Sequence, residues 1–230
     1  MKKQWYKTFM THSRTEPYRT KVEEANQIIK SVQGKAYVAF SGGKDSLCVL
    51  HLISKINKNV LIFHWDPGRL AVPLQIEQQI RRTIYDLGFK NVMFSTSQKY
   101  NERVKKGKGG TFYKALFANI IPRLAEQGYN YCFLGLRKEE SSQRRIRIKN
   151  NINLSQIKEI YPIQNWSWLD VWSYIISNKI PYLSFYDIYG EVIGYDKVRF
   201  GGFYYSELIE DKFGRPNIDG VLMWRFRNAK

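Results

Sequence analysis

The residues of this 230-residue chain best suited to chemistry form the sequence SGGKDS, at positions 41–46. They follow an apolar run, residues 36–40, that predicts a buried strand, and they lead into residues 45–56, whose pattern predicts a helix. Gly42 and Gly43 carry no Cβ, so the backbone there can approach a ligand closely. The first amides of a helix have no intrahelical acceptor and favour an anion. The pattern indicates a phosphate-binding turn.

Three side chains of this turn strengthen that interpretation. Ser41 and Ser46 supply hydroxyl donors, and Lys44 supplies a positive charge suited to phosphate. The turn is not a Walker A loop, because Val38 stands where that motif needs its first glycine and Asp45 stands where it needs serine or threonine. The alternative is an ordinary strand-to-helix turn whose serine and aspartate act as caps.

The elements that must position this turn alternate between strand and helix from residue 35 onward. The predicted strands are residues 36–40, 60–65, 92–95, 131–136 and 159–163. The predicted helices are residues 21–32, 45–56, 74–87, 112–127 and 168–177. Several strands are apolar throughout, which favours an α/β fold with a mainly parallel five-stranded sheet and helices on both faces. Ligands of such sheets bind beyond the carboxyl ends of the strands, near the point where the strand order reverses.

The chain divides into three predicted segments. Residues 1–34 form an N-terminal extension with one helix. Residues 35–190 form the nucleotide-binding domain, and residues 191–230 form an irregular C-terminal tail that packs on the core.

Two later segments share motifs with a known family. Residues 134–144 read LGLRKEESSQR, and residues 161–187 contain YPI, WSWLDVWSYI, IPY and SFYD in that order. Together with SGGKDS, these segments resemble the phosphoadenosine phosphosulfate reductase-like branch of the ATP pyrophosphatase (PP-loop) superfamily. The motifs cover roughly residues 35–190, and they imply the adenine nucleotide alpha hydrolase-like fold.

The resemblance also implies a ligand and a reaction. ATP with Mg²⁺ would bind at SGGKDS and be cleaved between its α and β phosphates. Arg137 and Arg144 lie inside the second motif, and a guanidinium suits phosphate or sulfate oxygens. We therefore expect these two arginines and Lys44 to be catalytic, with Mg²⁺ near Asp45 or Asp66.

The segment after the second predicted strand would border the adenine and ribose. His64 is interpreted as a positioned pocket residue rather than a metal ligand, since His12 and His51 show no ligand spacing with it. Asp66 has two interpretations. It accepts from a ribose hydroxyl or assists a metal, or it caps the Pro-Gly turn that follows.

The cysteine content separates this chain from the reductases of that branch. Cys48, in a predicted helix, and Cys132, in a predicted strand, are its only cysteines, and both are interpreted as small core residues. The family's reductases use a reactive cysteine near the C-terminus, and many bind an iron–sulfur cluster through cysteines. We therefore expect neither an iron–sulfur cluster nor reductase activity.

The acceptor of the implied adenylyl group stays open. Sulfate is one candidate, and a group on a nucleic acid is the other. Two alternatives to adenylyl transfer are a phosphoadenosine phosphosulfate-binding protein without reductase activity, and a non-catalytic nucleic-acid- or partner-binding protein on the same fold.

The charge of the chain favours a phosphate-bearing partner. Lysine and arginine number 37 against 20 acidic residues, a formal net charge of +17. Lys44, Arg137 and Arg144 do not account for this excess. Much of the remainder lies in residues 99–108 and 145–149, which either form solvated surface or bind a larger polyanion such as a nucleic acid. Six aromatic residues of the tail either pack within the protein or stack on the bases of a nucleic acid. They are Phe200, Phe203, Tyr204, Tyr205, Trp224 and Phe226.

Composition and patterning also bound the class of protein. With 43% hydrophobic and 25% charged residues, the chain is typical of globular proteins. It has no apolar run of about 18 residues that would cross a bilayer. Its N-terminus does not resemble a secretory signal, and two cysteines do not make a disulfide framework. We predict a cytoplasmic protein without a membrane partner, and self-association is compatible with the sequence.

Overall fold

The computed structural model describes residues 1–66, 68, 72–96, 116–153 and 155–200. A five-stranded sheet lies at its centre, and all four strand pairings are parallel, in the order β3-β2-β1-β4-β5. The strands are β1 (Ala36–Ala39), β2 (Leu61–Trp65), β3 (Val92–Ser95), β4 (Tyr131–Phe133) and β5 (Lys158–Ile160). The predicted α/β fold with a parallel five-stranded sheet is confirmed.

Helices cover both faces of this sheet. They are α1 (Lys3–His12), α2 (Glu16–Lys30), α3 (Lys44–Ser54), α4 (Leu74–Asp86), α5 (Ile121–Glu126), α6 (Ser142–Lys149), α7 (Trp168–Ser177) and α8 (Phe185–Ile193). A π-helical turn, Leu116–Ile120, precedes α5. Successive side chains of β1 point to opposite faces. Val38 therefore joins the core under α3, α4 and α7, while Tyr37 joins the core under α5.

The strand order places the SGGKDS turn at the reversal point of the sheet. β1 is central, with β2 and β3 on one side and β4 and β5 on the other. In parallel sheets of this kind, ligands bind at the carboxyl edge next to the strand where the order reverses, which here is β1. The SGGKDS turn follows β1 and the LGLR sequence follows β4, so both lie at this edge.

The N-terminal extension differs from its prediction, since it contains two helices rather than one. The helix missed by the sequence is α1, whose stability comes from tertiary packing. Phe9 is fully buried and stacks on Trp172 at 6.1 Å between ring centroids. The aromatic residues of α1 do not repeat with a clear helical period, so the sequence pattern did not predict this helix.

A buried carboxylate fastens this extension to the core. Asp170 accepts hydrogen bonds from Lys21 Nζ at 2.6 Å and lies 2.7 Å from His12 Nε2. It also completes a capping box with Ser167 at the start of α7. Burial opposes ionisation of Asp170, but its hydrogen bonds to Lys21 and His12 hold its pKa below the ordinary value. The sequence predicted only its favourable place at a helix start.

The predicted tail boundary also shifts. Helix α8 continues to Ile193, past residue 190, and Tyr195 and Val198 are fully buried. Residues 201–230, with most of the tail aromatics, and residues 99–108 lie outside the described residues. None of the helices described is long and apolar enough to cross a membrane.

Candidate active site

The SGGKDS turn is held together by its own hydroxyl and backbone groups. The Oγ atoms of Ser41 and Ser46 lie 3.0 Å apart. Gly43 N–H donates to Ser41 Oγ at 3.3 Å, and Ser46 Oγ donates to the Gly43 carbonyl at 2.9 Å. Gly42 has a φ of +84°, and a Cβ there would lie 2.6 Å from the Ile80 side chain. The turn therefore needs glycine at position 42 for both conformation and space.

The backbone of this turn carries N–H donors at the start of α3. Among the described residues, no acceptor is found for the N–H groups of Gly42, Asp45 and Ser46, while Lys44 N–H donates to the Tyr186 hydroxyl at 3.1 Å. These amides stand at the positive end of the α3 dipole. The arrangement suits an anion, as the sequence predicted for this turn.

Lys44 lies beneath the turn, inside the protein. Its side chain is 3% exposed, its Nζ donates to the Val198 carbonyl at 3.1 Å, and it lies 3.4 Å from Asp45 Oδ2. The ammonium of Lys44 therefore contacts protein groups on the buried side of the turn, and its predicted contact with a phosphate stays a prediction.

Arg137 is also buried and joins the exit of β4 to the first turn of α3. Its side chain is 4% exposed, and its Nε donates to Asp45 Oδ1 at 2.5 Å. One terminal nitrogen donates to Glu139 Oε2 at 2.6 Å and to the Trp166 carbonyl at 3.3 Å. Burial opposes ionisation of Asp45, but the charges of Lys44 and Arg137 outweigh it and hold the Asp45 pKa below its ordinary value.

Arg144 has a different environment from Arg137, although both lie in one sequence motif. Its side chain is 39% exposed and forms an ion pair with Glu140, four residues earlier. The Glu140 carboxylate also accepts from Arg137 N–H at 3.1 Å. Arg144 is therefore the predicted site arginine whose guanidinium solvent and a substrate can reach.

Gly135 is a site residue whose role the sequence analysis missed. A Cβ at this position would lie 2.5 Å from Ser46 N and 2.6 Å from the Asp45 carbonyl carbon. Backbone therefore meets backbone where β4 leaves the sheet beside α3. A glycine directly before the motif arginine was visible in the sequence, but its neighbour 89 to 90 residues earlier was not.

His64 and Asp66 lie on the far side of the turn from Arg137. His64 is 1% exposed, with Nδ1 2.8 Å from the Phe40 carbonyl and Nε2 3.1 Å from Glu77 Oε2. Both ring nitrogens of His64 therefore lie against protein oxygens. The Asp66 Oδ1 accepts from Gly68 N–H at 2.8 Å, which is the turn-capping interpretation of that residue.

The two carboxylates expected near Mg²⁺ are already engaged with protein groups. Asp45 is bound by Arg137 and lies beside Lys44, and Asp66 bonds Gly68 N–H and lies 3.4 Å from Arg81. In the described part of the chain, no group of three histidine, cysteine or acidic residues is placed to hold a metal ion. These carboxylates do not fit a protein-bound Mg²⁺ in this arrangement.

Both cysteines are buried free thiols, which confirms their interpretation as core residues. Cys48 is 0% exposed within α3, and Cys132 is 4% exposed within β4. Burial raises the pKa of Cys48 well above its ordinary value and raises the pKa of Cys132 to about 12.

The chain is similar in sequence to a known protein family and to several of its members. The family model of the phosphoadenosine phosphosulfate reductase domain matches residues 35–198. The chain is 29% identical over 171 residues to adenosine 5'-phosphosulfate reductase 2 of Bacillus subtilis, which covers 70% of each chain. It is 28% identical over 181 residues to an uncharacterized protein of Methanocaldococcus jannaschii, which covers 69% of this chain and 35% of that one.

A solved structure shares the fold. The crystal structure of phosphoadenylyl-sulfate (PAPS) reductase from Candida auris, as a phosphate complex, matches with a TM-score of 0.52 and 19% identity. The match covers 78% of this chain and 90% of that one.

Proposed function

The chain belongs to the phosphoadenosine phosphosulfate reductase domain family, and from this premise we propose that it binds ATP at the SGGKDS turn, cleaves it between the α and β phosphates and adenylates an acceptor. The observation that carries the proposal is the set of amides at the start of α3 for which the described residues offer no acceptor, at the point where the strand order of the sheet reverses. Such a site binds the phosphates of a nucleotide through backbone donors and the helix dipole.

The state of the thiols supports an adenylyl transfer rather than a reduction. The named Bacillus and Candida relatives are reductases, and reduction by a protein thiol needs a thiolate that can reach the sulfur atom. In this chain Cys48 lies on the buried side of α3 and Cys132 inside the sheet, with raised pKa values. Neither thiol meets that requirement.

This assignment of the thiols can be tested by alkylation. We expect native protein at pH 8 to react with iodoacetamide at well under one thiol per chain, because a pKa of about 12 leaves about one thiol in 10⁴ ionised even before burial blocks access. Mass spectrometry of the alkylated protein measures the result. Protein unfolded in guanidinium is the control and should react at both Cys48 and Cys132. A native thiol that reacts as fast as free cysteine would contradict the assignment.

The proposed reaction is an in-line displacement at the α phosphorus. An acceptor oxygen forms the new bond to that phosphorus, and the bond to the bridging oxygen of the β phosphate breaks. Pyrophosphate leaves with the bonding electron pair, and a hydroxyl acceptor loses its proton to solvent. Mg²⁺ enters this scheme as part of the substrate, chelated by the phosphates of ATP.

The side chains at the turn have separate proposed tasks. Lys44 and Arg137 act from beneath it, where both contact the carboxylate of Asp45 and Arg137 also bonds that of Glu139. These ion pairs fix the first turn of α3, whose backbone amides and dipole are proposed to stabilise the charge that develops on pyrophosphate. Arg144, which is partly exposed, is the arginine proposed to contact the acceptor or the adenylate.

A matched pair of glycine variants tests the turn itself. Gly42 and Gly128 have φ values of +84° and +85°, so alanine strains both backbones alike. A Cβ at Gly42 meets Ile80 at 2.6 Å, whereas a Cβ at Gly128 has nothing within 4 Å. We expect Gly42→Ala to lower pyrophosphate release from ATP about 100-fold or more, and Gly128→Ala to change it less than about 2-fold, because displacing a group by 1 Å costs on that order.

The measurement is release of labelled pyrophosphate from ATP labelled at its terminal phosphates. Release of orthophosphate alone, or equal activity of the two variants, would count against the proposal. Tight binding of a sulfonucleotide together with no affinity for ATP would instead favour a sulfonucleotide-binding protein without reductase activity.

A further inference from the structure

Helix α6 carries four cationic side chains, and only two of them form ion pairs among the described residues. Four of its eight residues are cationic. Arg144 is paired with Glu140, and Arg147 with Glu159. Arg145 and Lys149 are exposed, and the described residues offer neither of them a carboxylate within ion-pair distance.

The two remaining cations lie on one face of the helix. Ser142, Arg145, Ile146 and Lys149 are all exposed, and their spacing of three and four residues aligns them along that face. We call these four residues the α6 face. Ile146, with 55% of its surface exposed, lies between the two cations.

The α6 face is held rigidly. Arg147 Nε donates to Glu159 Oε2 at 3.0 Å, and the Tyr161 hydroxyl donates to the same carboxylate. Ile148 is 7% exposed and packs inward, and Ser141 Oγ caps the helix by accepting from Arg144 N–H at 3.2 Å. A helix fixed in this way loses little backbone freedom on binding.

The helix also begins at the candidate active site. Glu140, just before the helix cap, bonds both Arg144 and Arg137 N–H, and Arg137 bonds Asp45 of the turn. The charge of Arg144 contributes to the low pKa of Asp45, so the first turn of α6 lies within electrostatic reach of the turn. A polymer along the α6 face would therefore extend from the site itself.

We propose that the α6 face docks the phosphate backbone of a nucleic acid and that the acceptor is a group on that nucleic acid. The inference rests on the proposed function, whose acceptor it names. Lysine and arginine side chains bind phosphates by charge, and the net charge of +17 favours a long polyanion over a single sulfate ion. The exposed Ile146 adds an apolar contact for a sugar or base.

The chemistry of the α6 face does not suit a membrane surface. An interfacial helix needs a continuous apolar face that enters the lipid. The two apolar residues of α6 are Ile146 and Ile148, and Ile148 is buried in the protein. One exposed isoleucine between two cations is not such a face.

The test compares two double variants that remove the same charge. Arg145→Gln with Lys149→Gln alters the α6 face. Lys3→Gln with Lys7→Gln is the control, because both lysines are exposed on α1, which packs on α7 at the other face of the sheet. Binding of fluorescent 20-nucleotide RNA and DNA is measured by anisotropy across a salt series.

We expect the α6 variant to lose about 1.4 units of the slope of log affinity against log salt, since each contact to a single strand contributes about 0.7. Affinity should fall about 20-fold near 0.1 M salt, with little change in the control. The variant should also lose any stimulation of pyrophosphate release by the nucleic acid, while its release without nucleic acid stays as in the unaltered protein.

Three results would overturn the inference. They are equal losses in both double variants, stimulation of pyrophosphate release by sulfate but by neither RNA nor DNA, and α6-dependent binding to phosphatidylserine vesicles without nucleic-acid binding. Nucleic-acid binding that depends on α6, with no pyrophosphate release under any condition, would support the docking surface and overturn the proposed function.

Discussion

Replacing Arg137 by alanine is expected to lower the free energy of unfolding by about 3–5 kcal/mol, the usual cost of leaving a buried charge without its partner. The cost arises because Asp45 loses its hydrogen-bonded cation and the Trp166 carbonyl loses a donor. Arg137→Lys should not restore the lost stability. A single ammonium cannot replace the planar guanidinium that bonds Asp45, Glu139 and the Trp166 carbonyl at the same time. Urea denaturation measures the effect.

Arg144→Ala is the matched control for this prediction. The Arg144 side chain is 39% exposed, and its partner Glu140, although only 5% exposed, keeps its hydrogen bond from Arg137 N–H, so removal of Arg144 should cost about 1 kcal/mol, the upper end of the range for exposed pairs. Equal costs for the two arginines would contradict the assignment of Arg137 as a buried cross-link.

The Arg137 effect should also depend on pH. The Asp45 pKa is depressed in the folded protein, so its ion pairs stabilise the fold above the unfolded pKa of about 3.9. That stability is lost as the pH falls through the folded pKa, because the protonated carboxyl no longer needs a cation. The difference in the free energy of unfolding between the unaltered protein and Arg137→Ala should therefore become smaller as the pH falls below about 3.9.

A second large loss of stability is expected from Gly135→Ala. The added Cβ would lie 2.5 Å from Ser46 N and 2.6 Å from the Asp45 carbonyl carbon, and backbone atoms cannot rotate away as a side chain would. We expect a loss of about 2–3 kcal/mol of stability, the upper part of the range for overpacked interiors. ATP affinity should fall as well, because the displaced residues carry the amides proposed to bind phosphate.

Gly43→Ala supplies the control for stability. The nearest atom to its added Cβ is Ser41 Oγ at 3.4 Å, and the backbone there has a φ of −71° that alanine adopts without strain. Its unfolding free energy should stay within about 0.5 kcal/mol of the unaltered protein. Thermal denaturation with and without ATP measures both variants, and a Gly135→Ala protein as stable and as responsive to ATP as Gly43→Ala would refute the close backbone contact.

Local pattern was enough to predict the sheet and the central turn. Strand β3 and helix α7 have the predicted bounds, and β1, β2 and α3 differ from prediction by one or two residues. These segments carry their signal in adjacent residues, as apolar runs, amphipathic periods and glycines. Helices α6 and α8 lacked that signal. Cationic residues dominate α6, and α8 packs through aromatic side chains such as Phe185 on Tyr186.

The sequence by itself determined the family, the parallel α/β fold, the position of the turn and the burial of both cysteines, because each depends on short-range pattern or composition. Only the tertiary structure separated Arg137, buried against Asp45, from the partly exposed Arg144, and placed Lys44 against Tyr186 and Val198. It alone showed that Gly135 touches the turn. These contacts join residues about 90 to 150 positions apart, and their chemistry depends on burial and distance, which no local spacing encodes.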